Sequence, residues 1–129
     1  MKRFRLVVSF ATLALLATLS PRSADARAWV SGRNPCSGTM MGRYQTMIDG
    51  NPGNSWALGK LLRCISVKAL AKRYRKRIKR SPKNYNFRVV LGNLLMRLKK
   101  YSEAVTSFQG AAKLKPQKYL AHYRLAAAY

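Results

Sequence analysis

The chain is poor in acid. Of its 129 residues only Asp25, Asp49 and Glu103 carry a carboxylate, against 26 Lys plus Arg, which leaves a formal charge of +23. Three dispersed carboxylates exclude paired-acid glycoside hydrolysis and metal cages built from oxygen ligands. Histidine is scarcer still: His122 stands alone, with no cysteine or carboxylate near it in sequence. The two cysteines, Cys36 and Cys64, are too far apart for a C-x-x-C redox pair and lack companions for a metal site. Ser and Thr are scattered without a nucleophile-elbow context, and neither Gly50 to Gly53 nor Leu91-Gly92 forms a phosphate loop. These absences predict no enzyme, no cofactor, no metal and no small-molecule substrate. What is present is apolar: 48% hydrophobic and 10% aromatic residues exceed what simple polybasic disorder carries, and the length allows one small domain.

The N-terminus reads separately. Lys2, Arg3 and Arg5 precede an uncharged run, Leu6 to Leu19, which is followed by Pro21 and then Ala24, Asp25 and Ala26. This is the order of a secretory signal peptide over residues 1–26, with cleavage after Ala26 and, as second choice, after Ala28. A spanning helix needs about 20 apolar residues, more than this run supplies, so an uncleaved membrane anchor is the lesser alternative. Cleavage removes Lys2, Arg3, Arg5, Arg22 and Asp25, leaving 22 basic residues against 2 acidic on a periplasmic or secreted domain. Residues 27–38 read as irregular, with Trp29 placed to pack on the first helix.

Three prolines set the phase of the rest. Pro52, Pro82 and Pro116 each close an amphipathic stretch, at spacings of 30 and 34 residues. An aromatic stands eight residues before each (Tyr44, Tyr74, Phe108) and an Ile or Ala four before (Ile48, Ile78, Ala112). A shared phase ties core positions to a helix stop. Helices are expected near 39–50, 54–65, 67–80, 84–98, 102–114 and 118–128.

Residues 85–118 contain Leu91-Gly92 with Leu95 three later, then Ala104, Phe108, Ala111 and Pro116. This resembles the tetratricopeptide repeat, W-x2-L-G-x2-Y, then A-x3-F, a small residue and a closing proline, with Arg88 at the Trp position and Leu95 at the Tyr. Leu125-Ala126 and Tyr129 restart the pattern after Pro116. Gly92 and Ala104 belong where two helices approach closely, and Pro116 ends a helix because it lacks an N–H and disfavours helix before it. The resemblance implies an all-α fold, a short right-handed α-solenoid of helix-turn-helix repeats. It consists of a half repeat 39–52, a degenerate repeat 54–84, the best repeat 85–118 and a truncated repeat 119–129.

It also implies function. The first helix of each pair lines a concave groove for peptides or partner helices. Groove positions are Trp56, Lys60 and Arg63 in the degenerate repeat, Asn86, Val89, Asn93 and Arg97 in the best one, and Tyr123 and Arg124 in the last helix. Some members clamp a peptide carboxylate with Lys, Asn and Arg. Asn93 and Arg124 match that type, while Val89 stands where the clamp has Lys, so the clamp is not carried over as a unit. Trp56 and Tyr123 serve equally well as inter-repeat packing.

Cys36 and Cys64 lie equal distances either side of residue 50, beside the turn at 49–54. Arms of equal length bring their far ends together, so the pair is placed to bridge. In an exported protein the bridge is oxidised and contributes about 3 kcal/mol, whereas without export the two remain reduced thiols. The stretch Val67 to Arg80 carries Lys68, Lys72, Arg73, Arg75, Lys76, Arg77, Lys79 and Arg80, yet Val67, Leu70, Ala71, Tyr74 and Ile78 keep a helical stripe. Its charged faces read either as solvated surface or as a patch for an anionic partner, favoured by the lack of interspersed acids.

The sequence thus predicts an exported, non-enzymatic scaffold binding an acidic peptide or protein surface in the bacterial envelope. Two alternatives stand beside it. One is a polyanion binder that uses the 68–80 helix on anionic lipid, lipopolysaccharide or, less favoured, nucleic acid. The other is a truncated gene product without independent function, suggested by the stop at Tyr129.

Overall fold

The computed structural model describes residues 34–129. The expected signal peptide and the position of Trp29 lie outside the described residues. Those that are described form an all-α helical-repeat solenoid of six helices: α1 Gly38–Gly50, α2 Ser55–Leu62, α3 Val67–Arg80, α4 Tyr85–Arg97, α5 Tyr101–Leu114 and α6 Tyr119–Ala126.

The three prolines act as the same punctuation three times. Pro52, Pro82 and Pro116 each stand two residues past a helix end, and the next helix starts three residues later. Backbone closure repeats as well: Asn51, Ser81 and Lys115 donate their N–H to Met47, Arg77 and Ala111, at 2.9, 2.9 and 3.1 Å. Asn54, Ser66 and Asn84 then cap α2, α3 and α4 by accepting from the N–H three residues on, at 3.0, 3.2 and 3.1 Å.

The repeat resembling 85–118 packs through its smallest residues. Ala104, Phe108 and Ala111 are fully buried, and a Cβ added at Gly92 would stand 2.6 Å from Phe108 Cζ. Glycine is therefore a steric requirement of the α4–α5 contact. The turn between these helices closes when Lys100 donates to Leu95 O at 2.9 Å, with Lys99 at φ 58°. That left-handed conformation is one glycine usually takes at a helix end. Arg88, at the pattern's Trp position, donates Nε and Nη2 to Pro82 O at 3.2 and 3.1 Å. His122, one 34-residue period later, holds Nε2 3.0 Å from Pro116 O.

Helices α3 to α6 pack in chain order, each on the next. The N-terminal end departs from this order. Helix α2 stops at Leu62, short of the expected 65, because Arg63–Cys64 turns the chain and Ser66 caps α3. Helix α1 packs on α2 and also directly on α4. Cys36 and Cys64 are joined in a disulfide with Cα atoms 5.3 Å apart, so the α1–α2 hairpin is closed at its open end.

Candidate functional site

Helix α4 presents Asn86, Val89, Asn93 and Arg97 along one stripe, the face expected to line an open groove. The structure takes Val89 out of that face by burying it, and engages the Asn86 and Asn93 amides with another part of the chain while both residues still line cavities. The turn between α1 and α2 lies along this stripe. Asn86 Nδ2 donates to Asp49 O at 2.6 Å and to Gly50 O at 3.4 Å, and Asn93 Nδ2 donates to Pro52 O at 3.2 Å. Val89 is fully buried, and Pro52 is buried as well. A Cβ on Gly53 would come 3.6 Å from Leu120 Cδ2, so the turn reaches α6. The physical cause is the short α2: with only eight residues, it leaves the first turns of the α4 face to be covered by the connection that precedes it.

An ion pair fixes this arrangement. Arg77 reaches the Asp49 carboxylate with both nitrogens, Nη1 at 2.9 Å and Nη2 at 2.6 Å, and Tyr74 donates its hydroxyl to the same carboxylate at 2.7 Å. The guanidinium lies 4.0 Å over the Phe87 ring and 5.1 Å over Tyr74. Burial, followed by the hydrogen bond to Asp49, pushes the Tyr74 pKa well above the ordinary tyrosine value. Burial opposes the charge on Arg77, and Asp49 more than offsets it, leaving the guanidinium above its ordinary value. Asp49 was not singled out from sequence, although it is one of two acids in residues 27–129 and so an obvious destination for a partly buried arginine.

Two cavities flank the Pro52–Gly53 turn. One, of about 350 Å³, is lined by Leu58, Asn93, Met96, Arg97 and Arg124. Arg124 Nε is buried there without a hydrogen-bond partner among the described residues. The other, of about 470 Å³, lies between Asn51 and Pro52 on one side and Tyr85, Asn86, Lys118 and Tyr119 on the other. Trp56, Lys60, Arg63 and Tyr123, expected beside these groups, line neither cavity. Trp56 is 59% exposed, edge-on to Tyr44 at 5.9 Å with the Lys60 ammonium 5.7 Å from its ring. Arg63 is in the turn after α2, and Tyr123 is exposed beneath the Arg124 guanidinium at 5.9 Å.

The basic stretch on α3 divides into three. Leu70, Ala71 and Tyr74 are fully buried, so the apolar stripe packs. Arg77 turns inward to Asp49, and Arg75 shares Glu103 with Lys100 at 2.6 and 2.8 Å, which holds the Glu103 carboxyl below the usual range through Lys100 first and Arg75 second. Arg77 is thereby withdrawn from the eight-residue patch, while Arg75 stays on the surface with its charge shared. Lys68, Lys72, Arg73, Lys76, Lys79 and Arg80 remain exposed, with no carboxylate partner among the described residues.

The family model described as TPR repeat matches residues 92–129, the second part of the best repeat together with α6. The match shows that this part of the chain is similar to a tetratricopeptide repeat, a unit that generally mediates protein–protein interaction. Comparison with curated proteins and with solved structures gave no significant match.

Proposed function

We propose that this protein is an exported scaffold whose α4–α6 face binds an acidic segment of another protein. The observation that carries the reading is the cavity shared by Arg97 and Arg124. Arg97 and Arg124 line it beside Asn93, with no carboxylate among the described lining residues, and Arg124 Nε has no hydrogen-bond partner among the described residues. A carboxylate bound between the two arginines would be held by charge-assisted hydrogen bonds. Export is supported by the order of the first 26 residues and by the Cys36–Cys64 disulfide, a bond that persists in oxidising compartments. The test is fluorescence anisotropy with a labelled Glu-rich peptide. Arg97→Ala/Arg124→Ala is expected to weaken binding about tenfold or more, and unchanged affinity would remove the reading. A reporter enzyme fused after residue 30 tests export: activity confined to the cytoplasm would sink that part.

A second reading rests on the six cations of α3 that have no carboxylate partner among the described residues, which suit an anionic surface such as a lipid or lipopolysaccharide layer. Salt separates the two. Binding through six phosphate contacts collapses steeply between about 50 and 200 mM salt, whereas a groove with an apolar component loses much less.

A further inference from the structure

The first turn of α6 lacks the device that closes the other helix starts. Ser37, Asn54, Ser66 and Asn84 cap α1 to α4 with side-chain oxygens, and α5, which has no such cap, carries Glu103 in its first turn. Helix α6 has neither. Its N-cap is Lys118, which makes no side-chain capping bond, and no acid stands in its first turn. A helix start already presents unpaired N–H donors and the positive end of the helix dipole, so a lysine there adds charge of the same sign. The Lys115 and Lys118 ammonium groups both lie over the Tyr85 ring, 5.9 and 5.6 Å from its centre.

Tyr85 supplies an independent observation from another helix. It is the first residue of α4, only 3% exposed, and it lines the cavity of about 470 Å³ together with Lys118, Tyr119 and Leu120 from the start of α6. Its hydroxyl is buried without a hydrogen-bond partner among the described residues. Burial pushes its pKa up while the main chain of Ala121 pulls it down, which sets the hydroxyl against the first turn of α6. A protonated phenol there is a donor with nothing to donate to. The described residues lining the cavity include no carboxylate. A buried O–H, the N–H groups of a helix start and an ammonium group thus border one space, all of the polarity that an anion satisfies.

We propose that the start of α6 is an anion site that takes a phosphate group, with Tyr85 Oη and the α6 N–H groups donating to its oxygens and Lys118 supplying the opposite charge. Phosphate suits the site because its several acceptor oxygens can serve donors arriving from two helices at once. The site is separate from the Arg97 and Arg124 cavity, with which it shares only Pro52 among the lining residues.

The test is a titration of sodium phosphate into the isotope-labelled, disulfide-bonded full chain, with chloride lowered to hold ionic strength constant. The Leu120 and Ala121 amide signals are expected to shift to saturation. Tyr85→Phe removes one oxygen that has no partner to lose, so it is expected to weaken phosphate about tenfold while leaving the thermal midpoint in phosphate-free buffer unchanged. Lys118→Asp places a capping carboxylate where the anion belongs, and is expected to raise that midpoint and abolish the response to phosphate. Arg97→Ala/Arg124→Ala is expected to leave phosphate binding unchanged, which separates failure of this site from failure of the acidic-segment reading. Tighter binding of glycerol phosphate assigns the site to phosphate esters and tighter binding of the inorganic ion to free phosphate; both uphold it. Shifts that do not saturate, shifts spread over the α3 cations, or an affinity indifferent to either Tyr85→Phe or Lys118→Asp overturn the proposal.

Discussion

The α3–α6 stack and the α1–α2 hairpin are built from the same punctuation and held by different physics. In the stack, small residues let helices close: Gly92 admits the Phe108 ring, and Ala104 and Ala111 are fully buried. Its attachment is apolar and short in range. The hairpin adds polar contacts to its apolar packing: two asparagine amides of α4 on three carbonyls, and Arg77 of α3 on Asp49. Packing of the first kind is lost only with the fold. Contacts of the second kind are exchanged for water or for another chain at small net cost, since a neutral hydrogen bond contributes about 1 kcal/mol net.

The sharpest way to break this contrast is to empty the stack. Phe108→Ala is expected to cost about 4 kcal/mol and to lower chemical-denaturation midpoints for the whole domain. Retention of α4–α6 protection in hydrogen exchange would contradict the packing account. Opening the hairpin with Cys36→Ser/Cys64→Ser is expected to cost about 3 kcal/mol at most, with exchange rising over 38–62 before the stack changes. Asp49→Ala follows, at about 2 kcal/mol from the lost charge-assisted bonds, and alkaline titration sharpens it. The folded Tyr74 pKa lies above its unfolded value, so its stabilisation is complete below the ordinary tyrosine pKa near 10 and is lost as pH rises through the folded value. Stability of the unaltered protein should therefore fall more steeply above pH 10 than that of Tyr74→Phe, and parallel curves would show that Tyr74 does not feel Asp49. The smallest effect belongs to Lys99, whose φ of 58° glycine adopts without strain. Lys99→Gly is expected to raise stability by about 1 kcal/mol, read as a shift in thermal midpoint.

Most of the fold was legible because proline, a stop signal acting on its own neighbours, carried it. Helix boundaries after Pro52, Pro82 and Pro116 needed no tertiary information. The α2 end was missed for the opposite reason, since a local turn at Arg63–Cys64 and the Ser66 cap override a periodicity that continues to Ile65. At the site, the stripe on α4 was found from repeat phase, while its covering by residues 49–53 was not. Repeat phase places each helix on its neighbour, and α1 against α4 skips two helices. The basic stretch misled in the same way: Arg75 and Arg77 look alike in sequence, and only the positions of Glu103 and Asp49 in space separate a bound arginine from the exposed cations beside them.

The disulfide between residues 36 and 64 also determines how the molecule comes apart. A hairpin sealed at its open end is expected to keep α1 tied to α2 if the two lose their hold on α4. Low protease concentrations or mild denaturant should then populate a species with full helical content and an uncovered α4. Its free energy above the native state includes the apolar surface buried where α1 packs on α4, with Pro52 and Val89 buried beside it, as well as the polar contacts of Asp49, Gly50 and Pro52.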